Sequence, residues 1–124
     1  MLRLMIVDDS NIIRKKINRS QQYSNRFEIV ASAFNGIDAV DKFRAHTPNV
    51  VTMDLTMPEM DGIACIQQLV AIDPEVMILV VSALADKATC IEALEFGANG
   101  FLCKPFTEGE LVEALNELTE HIDV

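Results

Sequence analysis

The chain has 124 residues, half of them hydrophobic and 23% charged, a balance that fits one packed globule and excludes a disordered tail. A chain of this length buries about two-thirds of the surface it exposes when unfolded. Acidic residues outnumber basic ones 19 to 10, for a formal charge of −9, which argues against a nucleic-acid-binding surface with its clustered Lys and Arg. Cys65, Cys90 and Cys103 stand apart, without paired spacing, and read as small core hydrophobes in a reducing cytosol rather than a disulfide or zinc framework. The apolar start is cut short by two acids, too early for a signal peptide, and no window approaches the length of a membrane helix. The expectation is a soluble cytoplasmic protein without membrane insertion.

The first apolar run, Leu2–Val7, ends on Asp8-Asp9-Ser10, and a helix carrying Arg14, Lys15, Lys16 and Arg19 follows. The second run, Phe27–Phe34, ends on Asn35-Gly36, which marks the start of another helix. Val50–Met53 comes next and stops at Asp54; Pro58 and Asp61-Gly62 then turn the chain into a third helix that Asp73-Pro74 closes. The fourth run, Val76–Val81, leads into Ser82-Ala83 and a helix ended by Gly97. Gly100–Cys103 precedes Lys104-Pro105 and a helical pattern over 107–122, where Leu111, Leu115, Leu118 and Ile122 share one face. Thr107 and Glu110 form the capping box of that helix. Several strands are continuously apolar, as strands covered on both faces are. The order βαβαβαβαβα predicts an α/β fold: a doubly wound, five-stranded parallel sheet with five helices on its two faces.

Four of the five strand ends deliver polar groups: Asp8-Asp9, Asp54, Ser82 and Lys104. Open parallel sheets bind ligands beyond the carboxyl ends of their strands, where strand order reverses. An order of 2-1-3-4-5 gathers the four and leaves strand 2, the exception, at the edge. Three carboxylates crowded there repel one another unless a cation sits among them. All-oxygen ligands with no His or Cys suit a hard ion, and Mg²⁺ is the abundant intracellular one. Asp54 can then act as a nucleophile toward phosphorus, with the metal, Lys104 and Ser82 satisfying the added oxygens. Taken singly, each feature has a plain structural reading. Asp8-Asp9 can begin a helix near Ser10, Ser82 can cap one, Lys104-Pro105 can be a turn, and Asp54 can open a loop. Their conjunction on strand ends carries the case.

The blocks "IVDDS", "VVTMDLTMPEMDGI", "VVSALAD" and "GFLCKPF" resemble the signatures of the response-regulator receiver domain, over essentially the whole chain. The similarity is greatest to stand-alone receivers of the chemotaxis type, which have a flavodoxin-like fold. The resemblance implies a two-component switch in which Asp54 accepts a phosphoryl group from a phosphohistidine on a histidine kinase or phosphotransfer domain. Asp9 would bind Mg²⁺ directly, Asp8 mainly through water, and the backbone carbonyl of Thr56 would complete the shell. Ser82 would turn toward the phosphoryl oxygens, small Ala83 would leave them room, and Lys104 would pair with them. Pro105 would follow a cis bond, and Phe101 would be the aromatic switch. Residues 56 and 84, here Thr56 and Leu84, would tune phosphate loss. The output would be a change in partner binding on the helix 4–strand 5–helix 5 face, with a flagellar-motor or chemotaxis component among the candidate partners.

Other readings stand beside these. Phe101 is equally a buried strand aromatic, and Met57 and Met60 suit loop packing better than a docking surface. His46 and His121 lie outside the rim. The last segment holds Glu108, Glu110, Glu113, Glu117, Glu120 and Asp123 without Lys or Arg, a solvated face that would suit a basic or apolar partner and pair weakly with helix 1. The chain is expected to be one receiver domain, residues 1–124. Its end at "HIDV", without linker-like residues, favours a stand-alone protein over the receiver part of a larger regulator with a DNA-binding or enzymatic output. A Mg²⁺-dependent phosphohydrolase of the haloacid-dehalogenase type would want a second Asp where Thr56 stands, to carry the proton. A flavin protein would want a Ser/Thr/Gly-rich phosphate loop after strand 1. The reading is therefore a switch, not an enzyme beyond its own phosphorylation and dephosphorylation.

Overall fold

In the computed structural model, strand β1 (Leu2–Val7) lies between two neighbours and divides its side chains between two separate cores. Leu2, Leu4 and Ile6 pack on one face and Met5 and Val7 on the other, the period-two alternation of a pleated strand. The division continues through β3 (Val50–Met53) and β4 (Met77–Ser82). Val50, Met77, Leu79 and Val81 join the first face; Val51, Met53, Ile78 and Val80 join the second. Covered on both faces, these central strands are apolar on both, apart from Arg3 in β1, Thr52 in β3 and the terminal Ser82 of β4. Strands β2 (Phe27–Ala33) and β5 (Gly100–Cys103) are only partly buried, because they form the two edges. All pairings are parallel, in the order β2-β1-β3-β4-β5.

The structure describes residues 1–20, 25–57, 59–83 and 87–122, without the side chains of Lys87 and Cys90. The expectations for Pro58, Leu84, Cys90 and Asp123 fall outside these residues.

Helices α1 (Asn11–Arg19) and α5 (Glu108–Thr119) cover the first face through Ile17, Leu111 and Leu115. Helices α2 (Gly36–His46), α3 (Gly62–Ile72) and α4 (Lys87–Glu95) cover the second, through Phe43, Ile66, Leu69 and Ala93 among others. Their starts are held by side-chain oxygens: Ser10 accepts from the Ile13 N–H, Asn35 from Asp38 and Asp61 from Ala64. The Thr107–Glu110 capping box is formed in both directions. Gly97, with φ +121°, takes the chain out of α4 in a conformation that disfavours any side chain.

Several boundaries differ from the sequence reading. Strand β2 stops at Ala33, leaving Phe34 54% exposed on the rim. Strand β4 runs Met77–Ser82 rather than Val76–Val81, because Val76 is held in a turn by its N–H bond to the Asp73 carbonyl. Ser82 thus ends strand β4. The last helix stops at Thr119, whose hydroxyl donates to the Leu115 carbonyl, while the Ile122 N–H closes a turn on Thr119. Cys103, expected in the core, is exposed, since it is the last residue of an edge strand. Cys65 does lie in the core, where burial, and then the charge of Asp61, push its thiol up to about 12. The expected pairing of α1 with α5 occurs at Arg19 and Glu108, 3.2 Å apart. Met57 and Met60 pack into the core beside α3.

Gly62 joins this scaffold to the strand ends. Its N–H donates to the Leu55 carbonyl at 3.0 Å, and an added Cβ would overlap the Asp54 carbonyl oxygen and lie 2.5 Å from Leu55 Cα. Those contacts are backbone, so relief requires moving the chain at Asp54. Gly62→Ala is expected to lower stability by about 1–3 kcal/mol, measured as a fall in the urea midpoint at unchanged slope.

Candidate functional site

Three backbone hydrogen bonds carry the sheet ladder one step past the strand ends. The Asp8 N–H donates to the Ala33 carbonyl (3.1 Å), the Asp54 N–H to Val7 (2.9 Å) and the Lys104 N–H to Ser82 (3.0 Å). Each functional residue is therefore fixed by the end of the neighbouring strand, and the group spans β2 to β5. The polar groups stand at the same edge of the sheet because parallel strands all end there.

The side chains meet. Asp8, Asp9 and Asp54 offer carboxylate oxygens that all lie within 4.8 Å of one another. Asp8 and Asp54 are buried, at 1% and 4% exposure, while Asp9 is exposed. Asp8 Oδ1 accepts from the Ser10 N–H at 2.8 Å and Oδ2 from Lys104 Nζ at 2.8 Å. Lys104 Nζ stands 3.9 Å from Asp54 Oδ1, which also accepts the Thr56 N–H at 3.3 Å. Ser82 is buried at the end of β4, Ala83 is exposed beside it, and the Lys104–Pro105 peptide is cis. Phe101 is half-buried, not fully buried, against the core that holds Met53 and Val80.

One lysine does not balance three acids. Burial, and then the charge of Asp8, raise the Asp54 carboxyl from its ordinary 3.8 to about 6, against the opposing pull of Lys104 and the Thr56 N–H. A site that leaves its central carboxylate this reluctant to ionise, with only oxygen donors around it, fits a hard divalent cation such as Mg²⁺. The sequence reading offered Arg14 only as one of four basic residues of the first helix, available to pair with the acidic last one. It reaches the site: its guanidinium donates to the Asp8 carbonyl at 2.5 Å and to Asn11 Oδ1 at 3.3 Å. Its place one turn into α1 after the acid pair was the available signal.

The raised pKa of Asp54 has a consequence for stability. The unfolded carboxyl ionises near pH 4 and the folded one near pH 6, so ionised Asp54 opposes folding above that window and not below it. Without divalent cations, Asp54→Asn is expected to be more stable than the wild type by about 2–3 kcal/mol at pH 7. Urea unfolding from pH 7 to pH 4 should show this gain shrinking toward zero.

Comparison with known proteins shows the family. Residues 4–116 match the response regulator receiver domain family. The chain is 42% identical to the chemotaxis protein CheY of Bacillus subtilis, over 93% of this chain and 95% of that protein. It is 39% identical to protein-glutamate methylesterase/protein-glutamine glutaminase 2 of Carboxydothermus hydrogenoformans, over 98% of this chain but 34% of that protein. Among solved structures it resembles the CheX–CheY–BeF₃–Mg²⁺ complex from Borrelia burgdorferi, with a TM-score of 0.89 and 29% identity over 94% of this chain and 88% of that one. The chain belongs to the response regulator receiver domain family of two-component systems.

Proposed function

We propose that this receiver, a single domain over residues 1–124, takes a phosphoryl group on Asp54 from the phosphohistidine of a histidine kinase or phosphotransfer domain and signals by a change in partner binding. The observation that carries the reading is the buried Asp54 carboxylate, grouped with two further acids and 3.9 Å from Lys104. Asp8, Asp9, Asp54 and the carbonyl of Thr56 would hold Mg²⁺, which supplies positive charge to offset the acids and the transferring oxygens.

An Asp54 carboxylate oxygen forms the bond to phosphorus as the phosphorus–nitrogen bond of the donor breaks, and the electron pair leaves with the imidazole. Lys104 already stands between Asp8 and Asp54, and the new oxygens give its ammonium a stronger partner than the Asp54 carboxylate. The phosphoryl group brings roughly −1.5 to −2 charge and three acceptors. Ser82 donates its hydroxyl to one of them, while the methyl group of Ala83 is small enough to leave it room. Movement of Ser82 vacates the space into which Phe101 rotates. The phosphorylated state is favoured only to the extent of these differential contacts.

The face built by α4, β5 and α5 would read the change. It carries Ile91 and Leu94, 54% and 48% exposed, beside an α5 with acids and no Lys or Arg, which suits an apolar or basic partner segment. A chemotaxis or flagellar-motor component is one such partner. The chain would work in the cytoplasm; among the described residues no helix is long and apolar enough to cross a membrane. A second reading, the receiver part of a larger regulator, is favoured by the match to about one-third of the methylesterase. Multiple turnover of small phosphate esters is not expected, because Thr56 offers no carboxyl to shuttle the proton.

Acetyl phosphate with Mg²⁺ should add the mass of one phosphoryl group to the wild type and none to Asp54→Asn, by intact-protein mass spectrometry. A persistent shift in Asp54→Asn would move the acceptor elsewhere. Lys104→Ala should still acquire the group but fail to change partner affinity.

A further inference from the structure

Asp8 is held on nearly every side. Its N–H bonds to Ala33, and its two carboxylate oxygens to the Ser10 N–H and the Lys104 ammonium. Its carbonyl remains. β1 ends at Val7, whose own carbonyl accepts from Asp54, so the Asp8 carbonyl lies past the last rung of the ladder. Arg14 takes that carbonyl at 2.5 Å, in a part-buried position, while its other terminal nitrogen donates to Asn11 Oδ1 at 3.3 Å. The second bond sets the rotation of the guanidinium plane against the first turn of α1.

The carbonyl that Arg14 grips belongs to the peptide linking the two acids. Because a peptide is planar, fixing its C=O also fixes the following N–H and the direction in which the Asp9 Cα departs. Among the described residues the Asp9 carboxylate makes no hydrogen bond and is exposed, so this backbone is what fixes the point from which it reaches toward Asp8 and Asp54. We propose that Arg14 is a positioning residue of the metal site: by holding the Asp8–Asp9 peptide it sets the spacing of the three carboxylates and so the affinity for Mg²⁺. This rests on the reading of the acid rim as a Mg²⁺ site.

Arg14 also carries a positive charge near a cation site, and that effect has the opposite sign. If the guanidinium acted only as a charge, its removal would tighten Mg²⁺ binding, more so at low ionic strength. If it positions the loop, its removal weakens binding, and outer partners of metal ligands typically contribute about 10–100-fold in affinity. Lysine keeps the charge but not the fork that spans Asp8 and Asn11.

Calorimetric titration of the full chain with MgCl₂ tests this. Arg14→Gln is expected to bind Mg²⁺ about 10-fold more weakly than the wild type, with the loss persisting at raised KCl. Arg14→Lys should fall between the two although its net charge is unchanged. Equal or tighter binding by Arg14→Gln overturns the inference. Should that variant fail to fold, as judged by urea unfolding without metal, Arg14→Lys decides: wild-type affinity there overturns it equally. A wild-type protein that ignores Mg²⁺ overturns the metal reading and the inference with it, whereas a binding wild type with an unweakened variant overturns the inference alone.

Discussion

The whole site depends on a carboxylate kept where it is uncomfortable. Asp54 is 4% exposed, faces two other acids, and has one ammonium 3.9 Å away as its cationic neighbour in the cluster. Burial removes the water that would stabilise its charge, and Asp8 adds repulsion, so the group sits near pH 6 rather than 4. An isolated buried charge of this kind would be a defect in a structural protein. Here the discomfort is the source of the chemistry, because any positive or hydrogen-bond-donating arrangement that completes the site gains free energy that a relaxed, solvated carboxylate could not release.

Such a group survives only because the surrounding chain cannot rearrange to relieve it. β1, β3 and β4 are covered on both faces, and the ladder continues past their ends to grip Asp8, Asp54 and Lys104 by their backbone N–H groups. Gly62 brings α3 so close to Asp54 that no methyl group fits between them. Rigid secondary structure thus does for the acids what ordinary burial rules would forbid, and the free energy comes from the two apolar cores on either side of the sheet.

Much of this was legible in the residues. The apolar runs identified the strands, and the polar groups after four of the five identified the rim. Boundaries were less legible where a polar residue continued a strand, as Ser82 does, or where a helix pattern outlasted its hydrogen bonds, as at Ile122. Cys103 was misplaced because it was read by residue type alone, although the expected order 2-1-3-4-5 already put its strand at an edge. Arg14 was faint for a different reason: its place after the acid pair hints at the site, but its partner is a carbonyl, and a backbone acceptor leaves no mark in the sequence. Residue types announce side-chain chemistry. They are silent about which main-chain groups the fold leaves beyond its ladders.

The same sheet that holds the chemistry rigid grades outward. β3 is buried at every residue, whereas none of the residues of β5 reaches full burial, and among the described side chains of α4 only Ala93 does. Elements with few buried apolar contacts open at lower free energy than the core they rest on. Lys104 stands at the boundary: it leaves the edge strand β5, yet its ammonium reaches Asp8 and Asp54 on the central strands. A change of charge at Asp54 therefore pulls on a residue anchored in the more yielding half, while the rigid half stays in place. In a uniformly packed sheet the same charge would be absorbed as strain. In this one the strain would be relieved first in the yielding half, which carries the exposed apolar residues of α4 and the acidic α5.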